Sequence, residues 1–211
     1  MKPLDSLFMR RALSLARAQL GRVAPNPAVG CVIVHNGHVC AEAATEDGGR
    51  PHSEERALQE AGEEAAGADI YVTLEPCARR SDGRPSCAQM ILAARPARVI
   101  IACHDPHPQA AGMGLALLRA GGIAIELGLH GAQAEALNIG FFTKVKTGLP
   151  FFTLSEHGDD FDAEMILQPE ESFEAGLKRM GAAGLTRVFA RHGSASAEAF
   201  ARACAARSTR S

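Results

Sequence analysis

His52 and Glu54 stand two residues apart in "RPHSEERALQ", and Cys77 and Cys87 follow in "TLEPCARRSDGRPSC", the first thiol directly after Pro76. One imidazole and two thiols form a donor set that zinc accepts, and a catalytic zinc keeps its fourth position open. Zinc in such a site lowers the pKa of a water from 15.7 to about 7. Two thiolates offset the metal's double charge. Glu54 is close enough to reach that water without being a ligand, and a carboxylate there can take a proton and hand it to a substrate nitrogen. His52, Cys77 and Cys87 are therefore the expected ligands, Zn2+ the expected cofactor and Glu54 the expected proton carrier. The competing reading is a closed structural zinc. It needs a fourth ligand, from Cys103 or His104, and gives Glu54 no purpose.

These residues must be held by regular elements. The apolar spacing predicts a helix over 5–20, capped by Asp5 or Ser6 and ended by Gly21. "APNPAVG" (24–30) is a loop. The apolar run after it and the piece beyond Asn36-Gly37 read as a hairpin. A helix is expected over 53–65, entered through His-Ser-Glu, then a buried strand at 69–74. A short helix at 86–95 would start at Cys87, where backbone amides lower a thiol's pKa. A strand at 97–103, a helix at 111–122, a strand at 123–128 and a helix at 131–146 follow. Strands alternating with helices imply an α/β fold with part of its sheet parallel. After Pro150, "EHGDDFDAE" reads as an acidic loop, 170–182 as a helix, "TRVFAR" as a strand and 194–206 as a last helix, with "RSTRS" disordered. The boundary is expected near Gly148, giving units 1–148 and 149–211. The second is short for an independent core.

Composition narrows the function classes. The 211 residues carry 22 Lys+Arg against 24 Asp+Glu, with no tryptophan and one tyrosine. This balance gives no electrostatic footprint for nucleic acid and no aromatic platform for single strands. No apolar run is long enough for a membrane helix, and the N-terminal stretch lacks the apolar centre of a secretory signal. A cytoplasmic protein is expected, its six cysteines thiols or metal ligands. Cys31 reads as core packing, and Glu75 as a structural carboxylate bonded to backbone amides.

Strand, Pro-Cys and a preceding His-x-Glu together match the zinc deaminase pattern. "APNPAVGCVIV" (24–34), "PHSEERAL" (51–58), "TLEPCARRSDGRPSC" (73–87) and "HDPHPQAAGMG" (104–114) resemble, in order and position, the deaminase domain of the bifunctional riboflavin-biosynthesis deaminase/reductase. The resemblance covers about residues 5–150. It implies a three-layer α/β/α cytidine-deaminase-like fold with a mixed central sheet. It implies hydrolytic release of ammonia from a small pyrimidine, 2,5-diamino-6-ribosylamino-4(3H)-pyrimidinone 5′-phosphate. It places Asn26 at the ring, and Asp105, the segment near Gly112 and the cysteine loop at the ribose phosphate. Arg79 and Arg84, with Arg80, would grip the phosphate. Taken alone, Asn26 is a turn residue and the arginines an exposed loop.

The chain departs from that family in places. Ser53 and Glu55-Arg56 replace Ala and Val-His, Thr45 stands where a histidine is usual, and the cysteine loop is one residue longer. The expected reductase domain is reduced to "GLPFFTL" and a faint later piece, so residues 149–211 read as a remnant without nicotinamide chemistry. It would serve folding or the contacts of a homodimer. Two other functions stay open: deamination of another amino-heterocycle, and a catalytically weak binding or partner protein.

Overall fold

The computed structural model describes residues 2–80, 82–107 and 111–208. Helix α1 (Asp5–Arg17) turns Phe8, Met9, Ala12 and Ala16 inward. Strands β1 (Gly30–His35) and β2 (His38–Ala44) form the expected hairpin, with both Asn36 and Gly37 at positive φ, as a two-residue turn of this kind requires. Helix α2 (Ser53–Ala61) leads through a 3-10 turn (Gly62–Ala65) into β3 (Asp69–Leu74). Then come α3 (Cys87–Ala94), β4 (Arg98–Cys103), α4 (Met113–Ala120) and β5 (Ala124–Leu127). Helices α5 (Gly131–Leu137) and α6 (Ile139–Thr147) close this part.

The five strands lie in the order β2-β1-β3-β4-β5. β1 runs antiparallel to β2 and β3, whereas β3, β4 and β5 run parallel, so the sheet is mixed. α1 and α5 pack together on one side, and α2, α3 and α4 form a contiguous layer on the other. The expected three-layer α/β/α architecture follows. "DIYVTL" and "RVIIAC" are buried along their whole length, as parallel strands covered on both faces must be. The ends of β3 and β4, at Leu74 and Cys103, point the following loops to one edge of the sheet.

A second, three-stranded parallel sheet follows: β6 (Phe151–Leu154), β7 (Ala163–Glu164) and β8 (Arg187–Ala190), ordered β6-β8-β7. Helices α7 (Phe173–Ala182) and α8 (Ala195–Ser208) accompany it. It has its own apolar cluster, in which Phe152, Phe173 and Phe200 meet with ring centres 4.8–5.2 Å apart. Lys144 Nζ on α6 donates to the carbonyls of Gly181 (2.7 Å) and Leu185 (3.2 Å), joining α6 to the end of α7 and the turn before β8.

Several elements differ from expectation. The helix expected over 5–20 ends at Arg17, and the one over 53–65 gives way to a 3-10 turn after Ala61. Asp5 caps nothing: Leu4 is the capping residue, and the Asp5 carboxylate is buried against Arg98 and Tyr71. The helix over 131–146 breaks at Asn138, whose amide bonds the backbone of Ala28 in both directions (2.9 and 2.8 Å). β6 was not expected as a strand, and β7 lies within the presumed acidic loop. α8 runs through Ser208, and residues 209–211 lie outside the described residues. No helix among the described residues is long and apolar enough to cross a membrane.

Candidate metal centre and active site

His52 is the capping residue of α2 in extended conformation, which puts Ser53 and Glu54 in the first helical turn. Cys77 lies in the loop after β3. Cys87 is the first residue of α3, fixed by a capping box in which Ser86 Oγ accepts from Gln89 N and Gln89 Oε1 accepts from Ser86 N (3.3 and 2.8 Å). Two helix starts and one strand end thus converge. His52 Nδ1 is 3.2 Å from Cys87 Sγ and 3.9 Å from Cys77 Sγ. The donor atoms of the three residues lie within 4.8 Å of one another. One imidazole and two thiols at this spacing are a donor set that fits zinc.

Backbone packing fixes the loop ends. Gly114 on α4 lies so close to the Pro76 carbonyl that a Cβ would come within 2.0 Å of its oxygen. Glu75, just before Pro76, is the structural carboxylate foreseen from sequence. It accepts the N–H groups of Gly112 and Gly114 (both 3.0 Å) and Leu115 (3.3 Å), with a longer contact to Asp105 N (3.4 Å).

Burial and mutual hydrogen bonds shift all three donor groups. Cys77 is lowered to about 4, because Cys87 donates to its sulfur and His52 adds its own bond, against the effect of burial. The same contact pushes the Cys87 thiol up, reinforced by burial and by Glu54. The helix-start amides were expected to lower Cys87; its bond to the Cys77 sulfur and its burial outweigh them. His52 is raised by its bond to Cys77. Glu54 is 4% exposed, and burial raises its pKa. Ser53 Oγ donates to Glu54 Oε2 at 2.9 Å, a contact that sequence reasoning had not identified.

A small cavity opens on this centre, lined by Asn26, Pro27, Val29, Thr45, His52, Glu54, Leu74, Cys77 and Asp105. Asn26 is seated by Gly49: a Cβ there would fall 1.9 Å from Asn26 Nδ2, and φ at Gly49 is +87°. The Asp105 carboxyl is raised by burial and accepts from His107 N at 2.8 Å. Thr45, noted in the sequence only as a departure, is a buried wall residue whose Oγ1 accepts from Val29 N.

Arg79 and Arg84 are not among the residues lining this cavity. Arg84 forms ion pairs with Asp82 (2.8 Å) and Glu55 (3.3 Å). Arg80 is turned inward onto Glu55 at 2.8 Å. Cys103 donates to Thr73 O and His104 bonds Glu75, so among the described residues neither joins the three donors. Ser81 of the cysteine loop and 108–110 of the 104–114 segment lie outside the described residues.

A mixed five-stranded sheet between helical layers, with a His/Cys/Cys centre and a buried glutamate, defines a zinc deaminase-type hydrolase. The family model for the cytidine and deoxycytidylate deaminase zinc-binding region matches residues 2–103. The chain is 43% identical over 169 residues to the riboflavin biosynthesis protein RibD of Escherichia coli, covering 80% of this chain and 45% of that protein. It thus spans less than half the length of that relative. It is 39% identical over 146 residues to the diaminohydroxyphosphoribosylamino-pyrimidine deaminase of Buchnera aphidicola, covering 69% of this chain and 99% of that protein. A deaminase/reductase structure from Thermotoga maritima shares the fold with TM-score 0.80 at 22% identity, over 92% of this chain and 82% of that one. The chain belongs to the diaminohydroxyphosphoribosylaminopyrimidine deaminase family.

Proposed function

We propose that this protein removes the ring amine of 2,5-diamino-6-ribosylamino-4(3H)-pyrimidinone 5′-phosphate by hydrolysis, releasing ammonia. The observation that carries the proposal is the convergence of His52, Cys77 and Cys87 within 4.8 Å beside the buried Glu54. His52, Cys77 and Cys87 would hold zinc, which when bound supplies Lewis acidity and an activated water. Glu54 takes the water's proton and passes it to the amine nitrogen, so that nitrogen leaves as ammonia. Ser53 fixes one oxygen of Glu54 and leaves the other to exchange the proton. Asn26 presents an amide to the ring, and the confined cavity walled by Val29, Thr45 and Leu74 keeps it flat against the reacting groups. Asp105 and Arg79 serve the ribose-phosphate side. Arg84 reaches the phosphate only by exchanging its carboxylate partners. Residues 149–211 are read as a remnant of a reductase domain, the protein as a homodimer.

A second reading, the same hydrolysis on another amino-heterocycle, is favoured by the carboxylate pairing of Arg84 and by Thr45 in the cavity wall. Ammonia release from the diaminopyrimidinone ribose phosphate tests the first. Glu54→Gln is expected to lower kcat roughly 10²–10⁴-fold, the span of general acid–base catalysis. Chelation of the metal is expected to abolish turnover and zinc to restore it. Release from another amino-heterocycle, and none from this one, would transfer the assignment to the second reading.

A further inference from the structure

The loop between the two cysteines holds a buried cation. The Arg80 side chain is 1% exposed. Its Nη1 donates to Glu55 Oε2 at 2.8 Å, and its Nε lies 3.6 Å from Asp82 Oδ1. Nε and Nη2 have no hydrogen-bond partner among the described residues. Burial disfavours the charge on Arg80, and the carboxylates of Glu55 and Asp82 sustain it. Glu55 sits on α2, one residue after Glu54 and three after His52, so this pair joins the loop to the helix that the histidine caps. Arg84 adds to the same carboxylate from the loop's far side, and Asp82 binds Arg84 in turn.

We propose that Arg80 is a positioning residue for the metal centre: it clamps the cysteine loop onto α2 through Glu55. A guanidinium suits this role, because its planar fork can serve a carboxylate and hold its charge when buried. An unpaired Glu55 would add negative charge beside Glu54; Arg80 cancels it. The pair also explains two departures from the family pattern together, an acid after His-Ser-Glu and an arginine within the longer loop. Outer partners of metal ligands commonly set affinity by 10–100-fold.

The inference rests on zinc at His52, Cys77 and Cys87, and chelator competition on the full chain separates the two. Wild-type protein is expected to bind one zinc tightly. Arg80→Met is expected to weaken zinc by roughly 10–100-fold. Arg80→Lys should recover part of the loss, and Glu55→Gln, which loosens the clamp while keeping Arg80, should give a smaller loss in the same direction. Should Arg80→Met fail to fold, the lysine and glutamine variants decide. Tight zinc in wild type and affinity within about twofold in every folded variant would overturn the clamp and leave the metal site standing. A raised KM with unchanged zinc affinity would overturn it too, placing Arg80 on the substrate. Wild type that binds no zinc would sink the metal assignment itself.

Discussion

Glu75 shows how much one side chain can organise. It is buried, lies two residues before Cys77, and its two oxygens receive N–H groups from Gly112, Gly114 and Leu115. Glu75→Gln would keep the shape but turn one acceptor into a donor facing donors. Hydrogen bonds to charged groups contribute about 1.5–3 kcal/mol each, and an unmet buried group costs a similar amount. A loss of roughly 3 kcal/mol is expected, seen as a fall in Tm of about 6–12 °C for a chain of this length. KM should rise as well, because the Asp105 segment loses its anchor; thermal melting and steady-state kinetics check both. At this scale the sequence was informative about donors and poor about partners. His52, Cys77, Cys87 and Glu54 could be read because their chemistry is tied to type and spacing. Arg80 and Arg84 could not, because whether an arginine meets a phosphate or a neighbouring carboxylate depends on which way a loop folds.

Between elements, a buried ionic cluster ties α1 to β3, β4 and β5. Arg98 on β4 bonds Asp5 (2.5 Å), Asp69 (2.9 Å) and Glu126 (2.5 Å), and Tyr71 donates to Asp5 (2.7 Å). Burial would raise the Asp5 carboxyl, yet Arg98 and Tyr71 hold it well below the usual carboxylate range. A depressed folded pKa means stability present above the unfolded value of about 3.9 and lost as pH falls through the folded one. Asp5→Asn is therefore expected to cost about 3 kcal/mol from pH 5 to 7, the low end for a broken buried pair because Arg98 keeps two carboxylates. The gap between variant and wild type should narrow below about pH 4, as urea midpoints across pH would report. A gap independent of pH would refute the ionic origin. This cluster also explains why Asp5 looked like a helix cap: an acid at a helix start fits either role, and only the approach of Arg98, far along the chain, decides. Asn138 broke an expected helix for the same kind of reason, its amide being needed by Ala28 across the fold.

For the whole molecule, the question is what residues 149–211 contribute. The main apolar cluster ends at Phe142, and the second is built from residues beyond Pro150. Among the described residues the two parts meet through close backbone packing, a Cβ at Gly140 falling 2.7 Å from Thr186 O and one at Gly21 2.6 Å from Phe161 O, and through polar contacts: Lys144 to two carbonyls, Arg187 to Leu137 O (3.4 Å) and Arg17 to Asp160 (3.4 Å). An exposed pair such as Arg17–Asp160 contributes little, with measured values of about 0–1 kcal/mol. The five strands and all three donor residues lie before Gly148, and 146 residues of this chain match nearly the full length of the Buchnera deaminase. The alternation of strand and helix made that first part legible, whereas a two-residue strand inside an acidic stretch offers no periodicity to read. Residues 1–148 alone are thus expected to fold cooperatively, hold one zinc and release ammonia at a rate within a few fold of the full chain. Circular dichroism melting, zinc content and turnover of the truncated chain measure this. Loss of cooperative melting would mean that the second sheet completes the core, and retained folding with lost turnover would mean that it shapes the active site from outside.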